Sequence, residues 1–432
     1  MKKTIIIFIV FSYLLITGCS YERLAMPNSQ DTTKIFNTGE IKYIQLNPVW
    51  ENFTYPIDIF ISYDDYIFLA DSGNARVMVL DKTGQSIMTD ESNNDFSVLQ
   101  NLNFHPVGLC VDSKLNLFIT DKTNKIYVWN QFVNNASNAG EGVGLVATSI
   151  EYRNSNTGDM VTITDFEESY DLENGGYIIN HVEYEENREK IDSILAVHPF
   201  YVDEEMADSK FISVAAGPSS KGEIYVTDEG EQAIHRIKLV RSAYLKLANG
   251  TTVWQHKGVR NGSIATAGTG AGTVNDPTGI FADQGGNVYY TQTGINFGFH
   301  KISEISEEEK LWSSMFTLGQ NEILDLQRFD QPADVAVDGD GNIFVLNTGD
   351  REVQVFDAGG KFIRKAGLRS VQIDTTINQK DTIVTRYYND VLNNPRGIFI
   401  DDGVIYIVNS GDRNILRFRL SSDVDIDPEE YQ

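Results

Sequence analysis

The stretch Pro332-Ala-Asp-Val-Ala-Val-Asp-Gly-Asp-Gly-Asn-Ile-Phe-Val-Leu-Asn-Thr-Gly-Asp-Arg-Glu-Val-Gln-Val-Phe-Asp357 constrains this chain more than any other. It reads as three short strands: one around Val335 and Val337, one over Ile343 to Leu346, and one over Val353 to Phe356. Runs of β-branched and aromatic residues broken by Gly, Asp and Asn are the signal for strands joined by tight turns. A three-stranded unit of this size has two apolar faces and cannot bury them alone. It therefore predicts neighbours of its own kind.

The neighbours are present. Tyr55-Pro56-Ile57-Asp58 leads to Ile67-Phe68-Leu69-Ala70-Asp71, and His105-Pro106-Val107-Gly108 leads to Leu117-Phe118-Ile119-Thr120-Asp121. Asp276-Pro277-Thr278-Gly279 leads to Val288-Tyr289-Tyr290-Thr291-Gln292, and Asn394-Pro395-Arg396-Gly397 to Ile405-Tyr406-Ile407-Val408-Asn409. A copy without the leading Pro runs from Val214-Ala215-Ala216 to Ile224-Tyr225-Val226-Thr227-Asp228. A degenerate seventh, Asp171 to Asn180, has Glu167 and Glu168 where its first strand should be apolar. The polar residues that close each second strand are Asp71, Asp121, Asn180, Asp228, Gln292, Asn347 and Asn409. With Asn180 included they are roughly evenly spaced, at a period suited to propeller blades. The expectation is an all-β propeller of seven blades, with six blades and an insertion at about residues 145–205 as the alternative.

Segments such as Asp-Gly-Asn-Ile-Phe-Val, Asn-Thr-Gly-Asp-Arg and Asp-Ser-Gly-Asn-Ala-Arg, each after a Pro-led strand, resemble NHL repeats. The resemblance covers roughly residues 50–420 and implies a β-propeller, six-bladed in most of that family. It implies little about activity, because propellers host many unrelated functions.

Closure of the ring follows from the ends. The last copy stops after its third strand, Asn414 to Leu420, and an unpaired strand edge is a liability. Ile41-Lys42-Tyr43-Ile44-Gln45-Leu46 alternates like a strand, so it is expected to supply the outer strand of the final blade. Other outer strands are expected at Gln85–Met88, Leu145–Ile150, Thr252–Gln255 and Lys361–Arg364. Hairpins are expected across Ala248-Asn249-Gly250 and across Asn378-Gln379-Lys380-Asp381.

Residues 1–19 read as a leader. Lys2 and Lys3 precede an apolar run from Thr4 to Ile16, too short to span a bilayer, and Ile16-Thr17-Gly18-Cys19 resembles the lipobox of bacterial lipoproteins. The resemblance implies lipidation at Cys19 and a membrane tether through acyl chains. Ser20 after the Cys suggests the outer membrane of a Gram-negative envelope. Residues 20–38 read as a flexible tether, 39–422 as the propeller and 423–432 as an acidic tail. Cys110 is the only other cysteine, so no internal disulfide can form. It sits in an apolar strand and reads as a small buried hydrophobe. A formal net charge of −26 excludes nucleic acid as a partner. The expected partners are instead a protein, a glycan or another small molecule.

Loops entering the innermost strands converge at one mouth of a propeller channel. They place Tyr55, His105, Asp276, Gln331 and Asn394 there, with Asp58, Asp334 and Arg396 just inside. These eight are the candidate ligand-binding residues. Peptidyl-hydroxyglycine amidating lyase also resembles NHL repeats and holds a metal with several His at blade starts. Here only His105 stands at such a place, short of the three ligands a zinc site needs. Gluconolactonase-like propellers hold a divalent ion with Glu, Asn and Asp. Asp276, Asn394, Asp334 and Asp58 are the right types, and such oxygen ligands suit calcium, but no family motif accompanies them. The expectation is a binding module without cofactor or catalytic residues, the alternative a metal-dependent hydrolase or lyase. Asp338-x-Asp340-x-Asn342 has calcium-loop spacing but lacks the closing Glu, and reads as a hairpin turn.

Overall fold

The computed structural model describes residues 35–37, 41–88, 96–130, 150–153, 160–163, 197–246, 252–308, 310–377 and 380–421. The chain divides into two bodies. The smaller, Met1–Thr38 with Ser370–Tyr388, carries a three-stranded sheet in the order Ile35–Asn37, Lys380–Tyr388, Arg369–Ile377. It contains the expected hairpin, and three residues of the stretch read as a tether form a strand in it.

The larger body is a ring of six small antiparallel sheets. Blade 1 is Pro56–Ile61, Ile67–Asp71 and Arg76–Leu80, extended at its edge by a bridge from Leu80 to Ser86. Blade 2 is Gly108–Val111, Asn116–Thr120 and Lys125–Asn130, with His198–Val202 outermost. Blade 3 is Phe211–Ala216, Glu223–Asp228, Ala233–Lys246 and Thr252–Ala265. Blade 4 is Pro277–Ala282, Asn287–Gln292, Phe299–Ser306 and Leu311–Ser314. Blade 5 is Pro332–Val337, Ile343–Asn347, Glu352–Phe356 and Phe362–Ala366. Blade 6 is Pro395–Asp401, Val404–Asn409 and Asn414–Leu420, closed by Tyr43–Trp50 from the other end of the chain.

The six-blade count corrects the seven expected from the anchors. The innermost strands touch in the cycle 1-2-3-4-5-6-1. The strand outermost in blade 2 begins at His198 and is followed directly by blade 3, so everything between Asn130 and His198 is an insertion inside one blade. The copy around Asn180 and the outer strand expected over Leu145–Ser149 lie outside the described residues. Ile150–Arg153 pairs with Met160–Ile163 in a separate two-stranded sheet. Cys19 and the leader also lie outside the described residues. Among those described, no helix is long and apolar enough to cross a membrane.

Closure by the N-terminal strand is as expected: Tyr43 pairs with Leu420, Ile44 with Arg419 and Gln45 with Phe418. Trp50, at the end of that strand, is buried against Tyr406 and lies under the Arg417 guanidinium.

Packing explains why sequences of this kind form a ring. Second strands are buried along their whole length, as in Ile67–Asp71 and Ile343–Asn347. Their residues alternate between two neighbours, which is why the sequence runs apolar without interruption. Phe68 faces Leu117 and Ile119 of blade 2, while Ile67 and Leu69 face Val404 and Val408 of blade 6. There are six such clusters among the described residues, each shared by two adjacent blades. Cys110 is wholly buried in the one between blades 2 and 3, and burial pushes its thiol pKa well up. Hydroxyls add stitches near the axis: Thr348 Oγ1 donates to the Pro395 carbonyl (2.7 Å) and Thr278 Oγ1 to the Pro332 carbonyl (2.8 Å). Ser410 donates to the Pro56 carbonyl, joining the last blade to the first.

Candidate functional site

The anchor residues read from the sequence hold the blades' entry loops. Asp71 Oδ1 accepts from the Thr54 and Tyr55 N–H groups (2.9 and 3.0 Å). Asp228, Gln292, Asn347 and Asn409 do the same for the N–H groups of Lys210, Asn275, Asp330 and Asn393. The arginines that follow three of these anchors, Arg76, Arg351 and Arg413, split into two roles. Arg76 pairs with Asp71 across the strand ladder (2.8 Å), whereas Arg351 and Arg413 occupy left-handed turn positions (φ 55° and 59°). Asp338 Oδ1 accepts from the Asp340 and Asn342 N–H groups, as a hairpin turn requires.

These loops frame a channel along the ring axis. On one side a cavity of about 350 Å³ is lined by Tyr55, Lys122, Glu229, Thr293 and Arg396, among others. On the other side one of about 580 Å³ is lined by Tyr63, Ser113, Asp283, Gln284 and Asp401. Three residues line both: Asp58, Ser213 and Asp334. They form the waist of the channel.

The waist has a simple register. Asp58, Ser213, Gly279, Asp334 and Gly397 stand third in their innermost strands, and Gly108, two residues after Pro106, opens the shorter strand of blade 2 at the equivalent place. Side chains come from blades 1, 3 and 5, and glycines from blades 2, 4 and 6. The glycines are needed for close approach. A Cβ on Gly279 would lie 2.6 Å from Asp334 Cα, and one on Gly397 would lie 2.9 Å from Asp58 Cα.

Each aspartate is held by backbone alone. Asp58 accepts from the Ile59 N–H (2.8 Å) and from the Leu109 N–H of blade 2 (2.7 Å). Asp334 accepts from the Val335 N–H (2.8 Å) and from the Ile398 N–H of blade 6 (3.0 Å). Among the described residues, no Lys, Arg or His pairs with either carboxylate. Burial pushes the Asp58 pKa up to about 7, against the lowering effect of its two N–H donors. Asp334 is raised well above the usual range, first by burial and then by the Asp58 charge. Asp58 keeps some surface open to the channel, but the packed walls of three blades surround it, so desolvation still dominates.

Of the eight candidates, Tyr55, Asp58, Asp334 and Arg396 line the channel. His105, Asp276, Gln331 and Asn394 do not line either cavity. Asp276, Gln331 and Asn394 take left-handed backbone conformations (φ 54°, 53° and 49°) just before their prolines. Asp276 exchanges two hydrogen bonds with Gln232, and His105 Nδ1 lies 2.6 Å from the Ser72 carbonyl oxygen. Ser213 escaped the sequence reading because its copy lacks the leading Pro that sets the register. Lys122 escaped because it follows an anchor rather than a Pro; it forms a 3.0 Å ion pair with Glu229 at the mouth.

Fold and site together define a six-bladed β-propeller with an acidic channel waist. No family model matches the chain, and no curated protein does. Solved structures do. A streptogramin B lyase is 13% identical, with a TM-score of 0.45 over 88% of this chain and 98% of that one. A gluconolactonase from Xanthomonas campestris is 11% identical, with a TM-score of 0.45 over 90% of this chain and 95% of that one. A protein of unknown function from Bacteroides thetaiotaomicron is 12% identical, with a TM-score of 0.46 over 88% and 76% of the two chains. These likenesses concern the fold alone.

Proposed function

We propose that the protein is a binding module whose channel takes a small ligand or a projecting end of a glycan or peptide, with hydrogen-bond donors or an amine facing Asp58 and Asp334. The observation that supports this most directly is a pair of buried carboxyl groups without a cationic partner. Two backbone N–H donors each do not offset the cost of ionising them together without a cation nearby, and perturbed acids in a concave pocket mark binding sites. Tyr55 offers an aromatic face at the mouth, and Arg396 a guanidinium. The test is a thermal-shift and calorimetric screen of amines, sugars and short peptides. Hits should weaken in an Asp334→Asn variant that melts cooperatively; hits indifferent to both Asp58 and Asp334 would remove the ligand from the waist.

A second reading is a hydrolase or lyase that uses a divalent ion in the channel. Asp58, Ser213 and Asp334 present oxygen donors from alternate blades, a donor set of the type that suits calcium or magnesium. A bound ion would supply positive charge to polarise a substrate carbonyl, while the two carboxylates would hold it and Ser213 would add a neutral oxygen. Two carboxylates and a hydroxyl are few against the six to eight oxygens calcium takes, which favours the binding reading. One equivalent of calcium bound by the chelated protein, and lost with Asp58→Asn, would favour the enzyme.

The place of action we propose is the cell envelope, with Cys19 lipidated and the propeller tethered to the outer membrane. Its support is the Lys2-Lys3 start, the short apolar run and Cys19 itself. Radiolabelled palmitate should be incorporated by the full chain and not by a Cys19→Ser variant.

A further inference from the structure

We propose that Asp228, Glu231 and His235 of blade 3 form a binding site for one divalent transition-metal ion of the zinc class, separate from the channel waist. Asp228 ends the second strand, Glu231 lies in the turn, and His235 is third in the next strand. One ligand atom from each lies within 4.8 Å of the others. His235 Nε2 is 3.2 Å from Asp228 Oδ2 and 3.2 Å from Glu231 Oε2. Charge-assisted N–H···O bonds run shorter, at about 2.7–2.9 Å. The edges of a tetrahedron with metal bonds of about 2.0–2.1 Å are roughly 3.3 Å, so both separations, which also fall at the long end of N–H···O bonds, are the length a shared metal would set.

Two unmet groups belong to the cluster and its immediate neighbourhood. Glu231 Oε1 is buried and has no hydrogen-bond partner. Ser209 is 2% exposed, its Oγ has no hydrogen-bond partner, and it directly precedes Lys210, whose N–H donates to Asp228 Oδ1. A buried carboxylate oxygen without a protein donor is costly, and a cation satisfies it as an ordered water would. Charge gives the same answer. Asp203, Asp228 and Glu231 carry three negative charges, and Arg260, bonded to Asp203 (2.9 Å) and Glu231 (2.7 Å), carries one positive charge. With a neutral imidazole the group is left at minus two, which a divalent ion cancels. Ser263 Oγ lies 2.9 Å from His235 Nδ1, where it orients the ring as outer partners of metal-bound histidines do. A mixed nitrogen and carboxylate set favours zinc over calcium or magnesium.

The equivalent turns elsewhere complete themselves. Asp71 is neutralised by Arg76 and bonded by Asn74, and Asn409 is bonded to Asp412 and Asn414. In blade 3 a metal would fix the turn that carries Glu229, partner of Lys122 at the mouth, and Gln232, partner of Asp276.

The chelated protein should bind one equivalent of Zn²⁺ by calorimetry, melt at a higher temperature with it, and give the visible absorption of tetrahedral Co²⁺ when loaded with cobalt. Glu231→Gln, nearly isosteric at a partly exposed site, should weaken Zn²⁺ more than about tenfold, and Asp58→Asn should leave binding unchanged. No saturable Zn²⁺ binding overturns the proposal. So does binding that survives in both Glu231→Gln and His235→Asn, or binding lost with Asp58→Asn and kept with Glu231→Gln.

Discussion

Asp58 and Asp334 make the same two hydrogen bonds two blades apart in the ring. Each carboxylate accepts from the next N–H in its own strand and from an N–H in the innermost strand of the following blade. Each therefore ties two blades together while its remaining lone pairs face the channel. A group used this way is structural and available to a ligand at once. The two uses have different signatures, because the structural one depends on protonation in a calculable direction.

Consider stability against pH. The Asp58 pKa rises from an ordinary value of 3.8 to about 7 on folding, so between those values the folded chain holds the extra proton. That contribution is fully present below about pH 3.9 and is lost as pH rises through 7. His300 has the opposite sign. Burial lowers it to about 3, so its contribution is present above about pH 6.5 and is lost as pH falls towards 3. The two oppose each other between roughly pH 4 and 6.5; above that His300 adds no further slope, and Asp58 acts in the same direction as the other acids that burial raises, Asp334, Glu352, Asp350 and Asp401. The melting temperature should therefore fall from pH 6.5 to 8. The limb should be shallower in Asp58→Asn, whatever that variant's offset; parallel limbs would contradict the assignment.

The glycines of the waist predict a contrast between two alanines. Gly279→Ala would place a methyl against Asp334 and the Ala333 carbonyl (2.9 Å), forcing blades 4 and 5 apart. Overpacking of this kind costs about 1–3 kcal/mol. Gly339→Ala meets nothing within 4 Å and should fall within about 0.5 kcal/mol of the parent. Urea denaturation of the two variants side by side measures the difference.

The ring was legible because its repeat is dictated by packing. Each blade must show apolar residues to two neighbours, so Phe68, Phe118, Phe344 and their equivalents recur at one spacing. The closing strand was legible for the same reason, since its edge had to be paired. Blade number was not, because Asp171 to Asn180 imitates the Asp-to-Asn spacing of a second strand while spacing alone says nothing of burial. The waist was half legible. Asp58 and Asp334 follow a Pro and could be placed, but Ser213 follows Phe211 and Ile212, and no local signal sets its register. The roles of Asp276, Gln331 and Asn394 depend on positive φ in the turn, which these residue types tolerate and do not announce. The Asp228–Glu231–His235 cluster was invisible, because its members are joined by a turn and a strand pairing rather than by a recognisable motif.

Closure by the first strand of the ring can be tested at Trp50. It is 4% exposed, packs on Tyr406 at 5.8 Å between ring centroids, and has Arg417 4.5 Å above it. Trp50→Ala should cost about 3–5 kcal/mol, as for other buried aromatics. Val202, 37% exposed on the outer strand of blade 2, should lose less than about 1 kcal/mol on change to Ala. If the N-terminal strand were only loosely attached, the two costs measured by chemical denaturation would be alike.

The mouth separates residues that look alike in sequence. Tyr55 and His105 both precede a Pro and both are exposed, yet only Tyr55 lines the channel. His105 is engaged with the Ser72 carbonyl. Arg396 lines the channel, is exposed, and has no ion pair among the described residues, so it is free to meet an acidic group on a ligand. For a ligand found in the screen that bears such a group, Arg396→Ala should raise Kd about tenfold, since a hydrogen bond to a charged group is worth about 1.5 kcal/mol. Tyr55→Ala should also weaken binding, through loss of aromatic contact. His105→Ala should leave Kd unchanged and lower stability by about 1 kcal/mol, the worth of its one hydrogen bond. Calorimetry on the three variants decides the matter: an affinity that falls with His105 and not with Arg396 would move the site off the channel and onto the outer rim of the loops.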